Sequence, residues 1–119
     1  MVTAPCDRGV RRGQVYWVDF SPARGSEQAG RRPGLVVQND IGNRHSPTTI
    51  VAAMTTKVAP KEYPTEVRLP DDLFGKPSAV LCGQVLTLSQ DRLVGAPVAS
   101  LDATVMARVD EALRLSLGV

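Results

Sequence analysis

The sequence predicts a small, mainly β (α+β) domain: a strongly bent antiparallel sheet or partly open barrel with one α-helix at its C-terminal end. Three observations carry this. At least five short segments have strand composition and are punctuated by Gly, Pro, Asn and Asp. A single segment, the last, has helical spacing. The chain of 119 residues leaves room for one core, so residues 1–119 form one domain.

Gln14 to Phe20, QVYWVDF, alternates and is rich in β-branched and aromatic residues, a strand ended by Ser21-Pro22. A polar loop, Ala23 to Arg32, follows. Gly34 to Gln38 is a short apolar run entered through Pro33, a central strand. Asn39 to Pro47 is dense in turn residues and reads as a turn. Thr48 to Thr56 is apolar in the middle and hydroxylated at both ends, a strand buried on both faces. Thr65 to Leu69 alternates as a half-exposed strand, and Ser78 to Leu88 is a further strand region broken near Gly83. SQDRL is compatible with one helical turn. From Asp102 to Leu117, Val105, Val109, Ala112, Leu113 and Leu117 recur at spacings of three and four. Asp102 or Ser100 caps the start, Gly118 stands at the C-cap, and Asp110 and Arg114 form an i,i+4 pair. The first residues, to about Gly13, are small and charged and read as a flexible arm over 1–12.

Composition excludes several classes. No apolar run has membrane-span length, and the N-terminus lacks an apolar signal core, so a cytoplasmic protein with no membrane partner is expected. Cys6 and Cys82 with a single histidine, His45, make no zinc set, and the expectation is unpaired thiols and neither metal nor cofactor. GxSxG, P-loop, GxGxxG and HExxH motifs are absent. The net charge is only +2, but Arg8, Arg11, Arg12, Arg24, Arg31, Arg32 and Arg44 crowd the first part of the chain. Either a solvated basic face or a shallow anion site accounts for them.

The stretch GSEQAGRRPGLVVQND sharpens the choice. Pro33 restrains Arg32 to an extended backbone, while Arg31 projects to the other side. Thr55 and Thr56, followed by Lys57, close the Thr48 strand. If the two strands are neighbours, a guanidinium and a hydroxyl converge at one sheet edge, a pair suited to a phosphate. The plainer alternatives are an arginine that caps loop carbonyls and a threonine chosen for β-propensity.

The run RGQVYWVDFSPARGSEQAGRRPGLVVQNDIGN, with TIVAAMTT, YPTEV, GQVLTL and VDEALRLSLG in the same order, resembles the MazF/PemK family of toxin endoribonucleases, from Arg12 to Leu117. The resemblance implies an SH3-like, CcdB-type barrel and a homodimer. It implies a metal-independent, sequence-specific ribonuclease that cuts single-stranded mRNA, leaving 2′,3′-cyclic phosphate and 5′-hydroxyl ends. It also implies a MazE-like antitoxin whose acidic, flexible tail occupies the RNA groove. By this likeness Arg32 and Thr55 are the catalytic pair. Ser26, Glu27, Gln28, Asn43, Thr56, Lys57 and Gln84 are candidate substrate contacts, with Glu27 a candidate base or base-edge reader and Gln28, Asn43 and Gln84 readers of base edges. The chain departs from the family at Leu81 and Gly83, where a PemK-like branch has Arg and Asp. It departs again at Leu86, where MazF-like members commonly have Arg. Two other readings use the same scaffold: a CcdB-like protein that binds gyrase, and a barrel that binds RNA without cutting it.

Overall fold

The computed structural model describes residues 7–21 and 30–119. Six strands form one antiparallel sheet: β1 (Gln14–Asp19), β2 (Arg31–Val36), β3 (Thr48–Thr55), β4 (Glu66–Arg68), β5 (Ala79–Ser89) and β6 (Leu93–Ser100). Their order across the sheet is β4-β5-β3-β2-β1-β6. A short helix, α1 (Asp40–His45), joins β2 to β3, and α2 (Ala103–Leu117) closes the chain. Among the described residues no helix is long and apolar enough to cross a membrane.

The sheet buries both faces. On one, Val15, Leu35, Ala52, Met54, Val67, Val80 and Cys82 pack under Val105, Val109 and Ala112 of α2. On the other, Val10, Tyr16, Val18, Val36 and Val51 gather with Phe20, Leu88 and Leu93 around them. Burial raises the Cys82 thiol to about 11, so it packs as a small apolar side chain. The helix is capped as its sequence suggests: Asp102 accepts from Val105 N–H, and Gly118 adopts the left-handed conformation.

Several elements differ from the sequence reading. Strand β2 begins three residues earlier, at Arg31, and Pro33 lies inside it. Pairing with β3 starts only at Gly34, so β2 is locally an edge where the proline sits. The turn expected over 39–47 contains α1, capped by Asn39 accepting from Gly42 N–H. Strand β6 is absent from the reading, because Gly95 at φ +69° and Pro97 interrupt it. Its register against β1 slips between Val15–Ala99 and Trp17–Val94, so the interruption is a bulge on an edge strand. The break expected near Gly83 is real: β3–β5 register shifts between Ala52–Val85 and Ala53–Leu81. In α2, Leu117 is exposed, outside the buried stripe. Asp110 pairs with Arg12 at 2.6 Å, while Arg114 turns to Glu111.

That Arg12 contact corrects the flexible arm over residues 7–12. The Arg12 N–H donates to Asp40, its Nε to the Val37 carbonyl, and its terminal nitrogen to Asp110, tying the arm to α1 and α2. Val10 is buried, Arg8 pairs with Asp91, and Arg11 makes two bonds to Asp7. The Arg11 side chain, then the Gly9 N–H, hold the Asp7 carboxyl down at about 2. Its unfolded value is near 3.8, so the contact contributes fully above that pH. The contribution is lost as pH falls through 2. Carbon-detected NMR should give an Asp7 midpoint near 2 that Arg11→Ala raises toward the ordinary carboxylate range, with the Gly9 N–H still lowering it.

Candidate phosphodiester site

The site sits where β1, β2, β3 and β5 converge. Beyond their last rung, Gly34–Ala53, antiparallel β2 and β3 extend two residues further off the same end of the ladder, to Arg32 and Thr55. Both residues line one cavity of about 520 Å³, with Trp17, Arg31, Pro33, Ala53, Met54, Thr56, Lys57, Leu81 and Gln84. The strands are therefore neighbours, and the guanidinium and the hydroxyl share a cleft. Arg31, expected on the opposite side, lines the same cavity.

The charge balance distinguishes an anion site from a solvated basic face. Arg8, Arg11, Arg12 and Arg44 each lie within ion-pair distance of Asp91, Asp7 or Asp110. Arg31 and Arg32 are exposed and form no hydrogen bond or ion pair with a described residue. Lys57 adds a third cation to the same wall, and no acidic residue lines the cavity among the described residues. Cations in a concave setting, with no acidic neighbour among the described residues, attract a phosphate far more than the same charges scattered on a convex face. The Thr55 Oγ accepts the Lys57 N–H at 3.0 Å, which leaves the hydroxyl proton free to donate into the cavity.

Other candidates fall out differently. Thr56 is half-buried and Gln84 exposed, both on the cavity wall. Ser26, Glu27 and Gln28 lie outside the described residues. The ends of their segment are drawn together: Phe20 N–H donates to the Gly30 carbonyl at 2.7 Å, and Arg92 donates to the carbonyls of Asp19 and Ser21. A Cβ at Gly30 would lie 2.6 Å from that of Ser21, so only glycine fits that closure. Asn43 is a correction. It is fully buried, and its amide bonds to the Gln38 carbonyl, Asp40, the Gln38 side chain and the Thr49 hydroxyl. With every polar atom engaged inside the protein, it has nothing to offer a base. His45 is exposed at the end of α1. No three His, Cys, Asp or Glu residues come together as a metal set among the described residues.

Sequence reasoning missed Trp17, Leu81 and Met54 as wall residues. Alternation could not single out Trp17, because Val15 on the same face of β1 is fully buried.

A model of the PemK-like, MazF-like toxins of type II toxin–antitoxin systems matches residues 11–117. Endoribonuclease EndoA of Bacillus subtilis is 46% identical over 112 residues, covering 92% of this chain and 96% of that protein. MazF of Deinococcus radiodurans superposes with a TM-score of 0.74 at 31% identity, over 92% of this chain and 97% of that one. A mycobacterial endoribonuclease in complex with its cognate antitoxin superposes at 0.75, with 27% identity over 92% and 96% of the two chains.

Proposed function

Because the chain belongs to the PemK-like, MazF-like toxins of type II toxin–antitoxin systems, we propose that it is an endoribonuclease in which Arg32 and Thr55 act on one RNA phosphodiester. The observation that carries the assignment of roles is the shared cavity, with a strand-end hydroxyl and two arginines that pair with no described residue on its walls.

RNA supplies its own nucleophile. The 2′-oxygen attacks the adjacent phosphorus, a new P–O bond closes the 2′,3′-cyclic phosphate, and the bond to the 5′-oxygen breaks. The 2′-proton passes to solvent water and the leaving 5′-oxygen takes a proton from solvent, so the step consumes no net proton. Arg32 stabilises charge on the five-coordinate phosphorus and donates toward the leaving oxygen. Its work is electrostatic: the planar fork offers charge and N–H donors to the phosphate oxygens. The Thr55 hydroxyl holds a non-bridging oxygen and, with Arg31 and Lys57, fixes the strand for in-line attack. Thr56 and Gln84 supply further contacts along the strand, and Ser26, Glu27 and Gln28 contribute from the segment after β1. The basic wall also suits the acidic tail of a cognate antitoxin, which would exclude RNA by occupying it. A cytoplasmic homodimer is the working form, with exposed Leu115 and Leu117 of α2 available to a second copy.

Incubation of the protein with a long single-stranded RNA in EDTA tests the reading. Discrete fragments ending in cyclic phosphate are expected. Intact RNA with a mobility shift would leave a binding barrel, and intact, unshifted RNA would return the gyrase-binding alternative. Thr55→Val should lower kcat about 10–100-fold, the effect of removing one donor from the developing oxyanion. Urea unfolding should move little, because Thr55 is only half-buried. Loss of folding in that variant would make Thr55 a core residue and remove it from the mechanism.

A further inference from the structure

We propose that Trp17 is the base-stacking residue of this site: its indole carries the base of a nucleotide adjoining the phosphate held by Arg32 and Thr55. The inference rests on the endoribonuclease reading above and deepens it by assigning how the nucleotide is oriented.

Trp17 is 41% exposed, although its strand neighbours Tyr16 and Val18 are buried. It faces Pro33 across the β1–β2 ladder, so it lies one position from Arg32. Phe74 meets its ring edge-to-face, with centroids 5.3 Å apart and planes at 65°. That contact sets the tilt of the indole before anything binds, so little side-chain freedom is lost when a base arrives. The indole N–H donates to no described residue.

The rest of the cavity matches what a single strand needs. Arg31, Arg32 and Lys57 are cations for the backbone, and Thr55, Thr56 and Gln84 are polar groups beside them. Cations tracking phosphates with an aromatic face for a base are the recurring parts of single-strand recognition. A phosphate and its base hang from the same ribose, so anchoring the first at Arg32 delivers the second to the neighbouring wall. Stacking there pulls the base out of register with its neighbour. The sugar is thereby splayed, as in-line attack by a 2′-oxygen demands. An apolar side chain from a protein partner is a weaker match, because three cations line the same cavity as the ring.

Trp17 is the only tryptophan in the chain, so its fluorescence reports on this ring alone. The probe is a short RNA spanning a mapped cut site, with a 2′-deoxy sugar at the attacking position so that it binds uncut. Binding should quench Trp17, whereas heparin, an anion without bases, should not. Trp17→Leu and Trp17→Ala should weaken binding about 10–100-fold, chiefly in KM, while Trp17→Phe retains it within about 3-fold. Abasic sites placed one at a time provide the decisive cycle. At one position beside the cut, losing the base should cost the wild type about the same factor and cost Trp17→Leu nothing more. Equal quenching by heparin, or no position that couples to Trp17, would overturn the proposal. If Trp17→Ala fails to fold, the Phe and Leu variants carry the cycle. A wild type that cuts RNA but shows no coupling sinks this inference alone. A wild type that cuts nothing sinks the reading beneath it.

Discussion

Arg32→Ala should lower kcat about 1,000-fold or more on a single-stranded RNA while the protein remains folded. Arg32 is exposed and bonds to no described residue, so its removal exposes no buried partner. The expected loss matches removal of a preorganised charge from a transition state that gathers negative charge on phosphorus. Arg32→Lys should recover only part of it. An ammonium restores the charge but not the planar fork that grips two phosphate oxygens. Rates are to be read under single-turnover conditions, with circular dichroism and thermal midpoints as folding controls. Near wild-type cleavage by Arg32→Ala would take this residue out of the chemistry and leave Arg31 and Lys57 to hold the strand.

Asn43→Ala should cost stability and leave specificity alone. The side chain bridges the end of β2, the start of α1 and β3, bonding to Gln38, Asp40 and Thr49 in a fully buried position. Truncation orphans the Thr49 hydroxyl and weakens the hold on Gln38. A buried group left unpaired costs about 1–3 kcal/mol, so a loss of about 3 kcal/mol is expected, or roughly 10–15 °C in the thermal midpoint. The sites cut in a random RNA pool, sequenced at low temperature, should be unchanged. A stable variant with altered cut sites would restore Asn43 as a base reader.

The difference between these two residues shows which parts of the site were legible. That Arg32 and Thr55 would line one cleft could be read because their context is local: a proline that straightens the preceding residue, and hydroxyls at the end of an apolar strand. Their convergence needed only that two strands be neighbours. Asn43 was misread because a polar residue among turn formers normally faces water, and its burial depends on a strand outside that turn. Asp110 failed in the same way. The i,i+4 rule offered Arg114, but the carboxylate went to Arg12, fixed by how the N-terminal segment crosses α2. Strand β6 was hidden for a different reason. Gly95 and Pro97 are breakers in a central strand, but on an edge they form a bulge and discourage further pairing. The helix and the apolar strands were visible because periodicity reports burial directly. Trp17 broke the pattern, an exposed aromatic on the same face of β1 as fully buried Val15.

The closure at residues 21 and 30 has a consequence for how such proteins diverge. Whatever chain lies between them enters and leaves through a single stitched point, where Gly30 sits against Ser21 and Arg92 gathers the adjoining carbonyls. Exchanging that stretch for one of another length or composition leaves the strand carrying the guanidinium anchored where it was. On the roles proposed for Ser26, Glu27 and Gln28, preference for different messages is then open to change independently of the machinery that breaks the bond.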